Sequence, residues 1–135
     1  MGNEDLPRIR LSPVPNTTLL VVRGGPLDLE QSRADAVRFQ RRYPRWGRYG
    51  ISAYFAADDQ EIDVLCKTRL ERFGTVTVFC LSALDAAGIE VVPTFRRPHA
   101  TLAHADLEVL VNGLHSCEPR IIINRYHRGP GGVRP

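Results

Sequence analysis

Thr17 to Arg23 reads Thr-Thr-Leu-Leu-Val-Val-Arg, a continuous apolar run of the kind found in strands buried on both faces. Gly24-Gly25-Pro26 stops it and leaves Arg23 at its end. The period then changes. Asp28 is placed to cap a helix running to about Tyr43, with Leu29, Ser32, Ala36, Phe39 and Tyr43 on one stripe and Pro44 as its stop. Ile51 to Ala57 predicts a short strand. Asp58 or Asp59 then caps a helix to Phe73, with Ile62, Leu65, Cys66, Leu70 and Phe73 at helical spacing and Gly74 beyond them. Thr75 to Ser82 alternates and then turns wholly apolar, predicting a strand. One helical turn over Ser82 to Ala87, a strand over Ile89 to Phe95 and a last strand over Arg120 to Tyr126 follow.

Between the last two lies Asp106-Leu107-Glu108-Val109-Leu110-Val111, before an Asn-Gly turn signal. Its alternation predicts a strand with Leu107, Val109 and Val111 on one face and Asp106 and Glu108 on the other. Both carboxylates would project beside a loop carrying Arg96, Arg97, His99 and His104. An edge strand with a solvated acidic face fits the same pattern. The succession of elements predicts one α+β domain, mostly an antiparallel sheet with flanking helices. Residues 1–16, with Pro7, Pro13 and Pro15, read as an extended lead-in to a core over residues 17–128; the Gly/Pro/Arg stretch 129–135 reads as a disordered tail.

The length of 135 residues suits one domain, and 43% hydrophobic with 24% charged residues is ordinary globular composition. A formal charge of +3 accommodates phosphate-bearing ligands or nucleic acid without requiring them. Much of the charge is local. Arg41, Arg42, Arg45 and Arg48 interleave with Tyr43, Trp46 and Tyr49, a mixture suited to phosphates and flat rings, or to a surface loop whose aromatics plug the core. Cys66, Cys80 and Cys117 form no CxxC, and the first two, among apolar neighbours, read as buried reduced thiols. His99, His104, His115 and Cys117 match no compact zinc spacing, so no metal is expected. The chain shows neither signal peptide nor membrane-length apolar run, which predicts a cytoplasmic protein with no membrane partner. A phosphate-cradling glycine loop and a nucleophile elbow are both missing.

Arg23 at the end of the first core strand, Ser52 on the strand after a helix, and the late Asp106-x-Glu108 pair occur in a telling order. Over Leu19 to Val111 the chain resembles the ADP-ribosyltransferase fold of the arginine–serine–glutamate type, as found in small toxins of bacterial toxin–antitoxin systems. Ser52 stands in Ile-Ser-Ala where that family has serine-threonine-serine, and Asp106 replaces a glutamate or glutamine. The resemblance implies a split sheet and NAD as substrate. ADP-ribose would pass to a macromolecular acceptor, protein or nucleic acid, or NAD would be hydrolysed, with an antitoxin protein as partner. It implies a catalytic set of Glu108, Arg23 and Asp106, with Glu108 stabilising the positive charge that develops on the ribose. It also implies NAD binding by Arg23, Gly24, Ser52, Tyr54 and Tyr49, the tyrosines as stacking partners for nicotinamide. Two other functions fit the residues. One is RNA processing, by an NAD-using 2′-phosphotransferase relative or by a ribonuclease with His99 or His104 as base. The other is a non-enzymatic basic nucleic-acid-binding module built on Arg41 to Arg48. Whether Arg23 and Glu108 line one cleft separates these readings.

Overall fold

In the computed structural model, which describes residues 19–127, the six strands are joined in one antiparallel sheet. They are β1 (Leu20–Gly24), β2 (Tyr49–Ala56), β3 (Thr75–Cys80), β4 (Glu90–Pro93), β5 (His99–His104) and β6 (Arg120–Ile123), in the order β4-β5-β2-β1-β3-β6. Four helices connect them: α1 (Leu29–Arg42), α2 (Asp59–Thr68), α3 (Leu81–Ala86) and α4 (Leu107–Ser116). The lead-in and tail expected at the termini, and the Thr17–Thr18 start of the first strand, lie outside the described residues.

The unbroken apolar run of β1 has the consequence its sequence suggests. Val21 and Val22 are both fully buried, but in different cores, because adjacent strand residues face opposite sides. Val21 joins Ala36 of α1, Leu84 of α3 and Leu110 and Leu114 of α4. Val22 joins Ile62, Leu65 and Cys66 of α2. The sheet is therefore covered on both faces. Full burial of a valine stabilises by roughly 1.5–3 kcal/mol, so β1 is the shared anchor of both layers.

The helix starts follow the capping signals. Asp28 accepts hydrogen bonds from the amides of Glu30 and Gln31, and Asp58 from that of Glu61. α2 ends at Thr68, short of the expected Phe73. Asn124, leaving β6, donates through Nδ2 to the carbonyls of Cys66, Leu70 and Phe73 at 3.3, 2.9 and 3.1 Å, meeting acceptors that the helix end leaves open. β6 accordingly stops at Ile123 rather than Tyr126.

Three further expectations are corrected. Asp106 to Val111 is not a strand: Asp106 is the N-cap of α4, accepting from Val109 N at 3.1 Å, and Glu108 lies in the first turn. The competing pattern was Leu107, Leu110, Val111 and Leu114, a helical stripe of which the last three are fully buried. The expected His99–His104 loop is instead β5, hydrogen-bonded between β4 and β2. Cys80 is exposed, since β3 ends there, whereas Cys66 is buried as expected.

Pairing along the middle of the sheet is uneven. β1 pairs with β3 over its whole length, Leu20↔Cys80 to Gly24↔Val76, and β2 pairs with β5 from Tyr49↔His104 to Tyr54↔His99. Between β1 and β2 the register covers only Leu20↔Ala56, Val21↔Phe55 and Val22↔Tyr54. Past Val22 the two strands part, and the sheet opens at the point where Arg23 stands.

A candidate phosphate-binding cleft

The opening is a cleft of about 610 Å³. Arg23 and Gly24 line it from β1, and Gly50, Ser52 and Tyr54 from β2. One wall is the polar side of α1, with Asp28, Gln31, Asp35, Arg38 and Arg42 spaced three and four apart. The other wall follows α2 and carries Arg69, Arg72 and Phe73. Because the strands have separated, residues from both faces of the sheet reach one space. Arg23 shares a face with Val21, and Ser52 and Tyr54 share the opposite one with Val22.

Two glycines let the walls close. A Cβ at Gly24 would stand 2.3 Å from the Phe73 ring. One at Gly50 would stand 2.6 Å from the Phe39 ring and 2.8 Å from Thr101 Cγ2. Both positions admit an aromatic ring only because they lack a side chain.

Arg23 is only 7% exposed. Its Nη2 donates to Asp35 at 2.5 Å and its Nη1 weakly to the Gly24 carbonyl at 3.4 Å. Nε, also buried, has no acceptor among the described residues. Burial pushes the Arg23 pKa down, and the Asp35 carboxylate opposes that shift, so the guanidinium stays charged but incompletely satisfied. Asp35 also accepts from Gln31 Nε2 at 2.9 Å and Arg38 Nη1 at 3.2 Å. It is thus the negative centre that holds the cleft floor together.

The remaining arginines differ. Among the described residues no carboxylate pairs with Arg42, Arg69 or Arg72. Each stacks on a ring instead: Arg42 on Tyr43, Arg69 on Tyr54 and Arg72 on Phe73, at 5.8, 5.9 and 4.8 Å from the centroids. Stacking orients a guanidinium without neutralising it. The cleft therefore has five arginines against two aspartates, one of which, Asp28, is engaged in capping α1. It suits an anion.

Beside it, β5 and Thr94, the residue after β4, carry a polar chain whose threonines are buried and whose histidine is half-buried. Thr101 Oγ1 lies 2.8 Å from Thr94 Oγ1, which lies 2.8 Å from His99 Nδ1. Burial chiefly, and then Arg69, pushes the His99 pKa below its ordinary value. The His99 ring meets Tyr54 edge-on at 5.3 Å but does not line the cleft. Among the described residues no group of three His, Cys, Asp or Glu side chains could hold a metal ion.

Of the site residues expected from the sequence, Arg23, Gly24, Ser52 and Tyr54 come together here. Tyr49 faces the other side of β2 and packs on the core around Ile51. Glu108 lies outside the cleft, 58% exposed and paired with Arg33 of α1. Arg33 and Asp35 are two residues apart on one helix, or about 200° around its axis, so α1 stands between Glu108 and Arg23. The two do not line one cleft, and Asp106 is occupied at the start of α4. Asp35, Arg38, Arg69 and Arg72 were missed, although the stripe Asp28, Gln31, Asp35, Arg38, Arg42 is legible as the polar side of α1. Among the described residues no helix is long and apolar enough to cross a membrane. No protein-family model, curated protein or solved structure matches the chain.

Proposed function

We propose that the chain binds a nucleotide through its phosphates where β1 and β2 part, the ligand being a dinucleotide of the NAD class. The observation that carries this reading is the convergence of Arg42, Arg69 and Arg72, unpaired with any carboxylate among the described residues, on one cleft. Guanidinium groups meet phosphate oxygens in a two-pronged fashion that an isolated ammonium does not reproduce. Tyr54, Phe39 and Phe73 add flat faces suited to a base or a nicotinamide ring. The volume falls within the range of small-molecule sites. Arg23 serves as scaffold, since Asp35 already engages it; the exposed arginines meet the ligand.

Because Glu108 does not line the cleft with Arg23, the glutamate mechanism that the resemblance implies does not fit it, and the reaction attached to such a ligand, release of nicotinamide and transfer of ADP-ribose, needs another carboxylate. With Asp28 engaged at the α1 cap, Asp35 is the carboxylate in the cleft that a ribose hydroxyl or a developing positive charge could use. On this reading Glu108 serves α1–α4 packing. If the reaction occurs, nicotinamide release persists in Glu108→Gln and falls in Asp35→Asn. Loss of release in folded Glu108→Gln protein would return the glutamate to the site.

The test of binding is a thermal scan with NAD, ADP and inorganic phosphate. A ligand at about 100 times its dissociation constant stabilises the native state by about 2.7 kcal/mol. The proposal expects a rise with NAD and ADP that Arg69→Ala/Arg72→Ala abolishes. A flat response to both nucleotides would reduce the cleft to a solvated basic surface.

A further inference from the structure

Six rings from separate parts of the chain meet in an unbroken series. Centroid distances are 5.9 Å for Trp46–Phe39, 5.0 Å for Phe39–Tyr43, 6.0 Å for Tyr43–Phe95, 5.1 Å for Phe95–His99 and 5.3 Å for His99–Tyr54. They come from α1, the 3-10 turn Pro44–Trp46, the β4–β5 connection, β5 and β2. Phe39 and Tyr54 both line the cleft, so the series forms an arc that leaves and rejoins its rim.

Aromatic rings clustered in this way usually form a buried core, yet five of these are only half-buried and Phe95 is exposed. Phe95 is 38% exposed, and its φ of 59° lies in the left-handed region that bulky side chains rarely adopt. The next two residues are Arg96 and Arg97, both exposed. Arg42, which stacks on Tyr43, and Arg45 of the turn border its other part. Among the described residues none of these four is paired with a carboxylate. Glu90 is paired with Arg48, whose guanidinium also stacks on Trp46.

We propose that this aromatic arc and its bordering arginines form a surface for single-stranded nucleic acid, bases against the rings and phosphates at the guanidinium groups. Every base has a π face, so such a surface is tolerant of sequence, and the arginines follow the backbone. A duplex keeps its base faces stacked internally and offers only its phosphates. An acidic peptide would engage the arginines and make no use of the flat faces. The proposal rests on the arc alone and does not depend on a dinucleotide in the cleft.

The experiment measures fluorescence anisotropy of short mixed-sequence RNA and DNA single strands, and of the same sequences as duplex, across a salt series. The variants are Phe95→Gly and Arg96→Ala/Arg97→Ala. Phe95→Gly removes a ring from the middle of the series and relieves its left-handed backbone, and a thermal melt of the variant, folded at the assay temperature, shows that a loss of binding is not unfolding. The expected result is tighter binding of single strand than duplex, weakened by Phe95→Gly about 5- to 150-fold, the span of one base-stacking interaction. The arginine pair variant should reduce the salt slope by roughly 1.4, about 0.7 for each phosphate no longer neutralised. Binding of either RNA or DNA single strands supports the proposal. Binding of neither, equal binding of duplex, or wild-type affinity in Phe95→Gly overturns it.

Discussion

Replacing Asp35 by Asn removes the only carboxylate paired with the buried Arg23 among the described residues, while keeping the size of the side chain. The Arg23 side chain is 8% exposed and that of Asp35 26%, so the charge left behind is poorly hydrated. Breaking a buried ion pair on one side typically costs about 3–5 kcal/mol. The partial exposure of Asp35, and hydrogen bonds an amide can still form, bring the expectation to about 2–3 kcal/mol. In a domain of this size that is a drop in melting temperature of about 7–11 °C. Urea unfolding followed by far-UV circular dichroism gives the free energy, and an unchanged m-value would show that the unfolded state is the same. Arg23→Met added to Asp35→Asn removes the orphaned charge and should recover at least about 1 kcal/mol. Phosphate binding moves the other way. Removing a unit negative charge from the cleft wall, at a dielectric between water and protein surface, favours an anionic ligand by about 1 kcal/mol, or roughly fivefold. An Asp35→Asn protein within about 0.5 kcal/mol of wild type, with unchanged phosphate affinity, would refute the picture of Asp35 as the counter-ion of a buried guanidinium.

Glu108→Gln should cost no more than about 1 kcal/mol and leave nucleotide binding unchanged, because the Arg33–Glu108 pair is exposed and outside the cleft; urea midpoints and titration calorimetry check both. Asp106→Ala should cost about 1 kcal/mol through loss of the α4 cap, visible as a lower urea midpoint. Gly24→Ala should destabilise by roughly 1–3 kcal/mol, since its Cβ would stand 2.3 Å from Phe73, and should displace that ring enough to change its near-ultraviolet dichroism. His99 has a native pKa below its ordinary value of 6.5, so the unfolded chain takes the proton first. Its contribution is fully present above about pH 6.5 and is lost as pH falls through the native value. The stability difference between wild type and His99→Gln should therefore shrink on going from about pH 7.5 to about pH 5.

Much of the fold was legible because local signals and burial agree. The unbroken run of β1 reads as two-sided burial, and Asp28 and Asp58 cap the helices their positions announce. The split sheet that the resemblance implies is not what the strands form: all six are joined in one sheet, and the parting of β1 and β2 past Val22 was not legible, since strand register depends on partners far away in sequence. The acidic segment failed because Asp106 to Val111 satisfies a period of two and a period of 3.6 equally well over six residues. The buried stripe extending to Leu114 settles it, and the Asn-Gly signal falls inside the helix. In the site, Arg23, Ser52 and Tyr54 could be found by their strand positions. Asp35 could not be singled out, because its role arises only when α1 folds back over the end of β1. Arg69 and Arg72 follow the end of α2, where their exposure resembles that of any solvated arginine until the opposite wall is in place.

The most direct test of the proposed phosphate binding is arginine side-chain nuclear magnetic resonance on 15N-labelled protein during titration with NAD or ADP. The guanidinium Nε–H groups of Arg69 and Arg72 should shift and exchange more slowly as phosphate engages them, and that of Arg23 should move with the cleft floor. Those of Arg33 and Arg120, paired with Glu108 and Asp59 outside the cleft, should stay in place. Shifts confined to Arg33, or a spectrum unchanged at saturating nucleotide, would contradict the account.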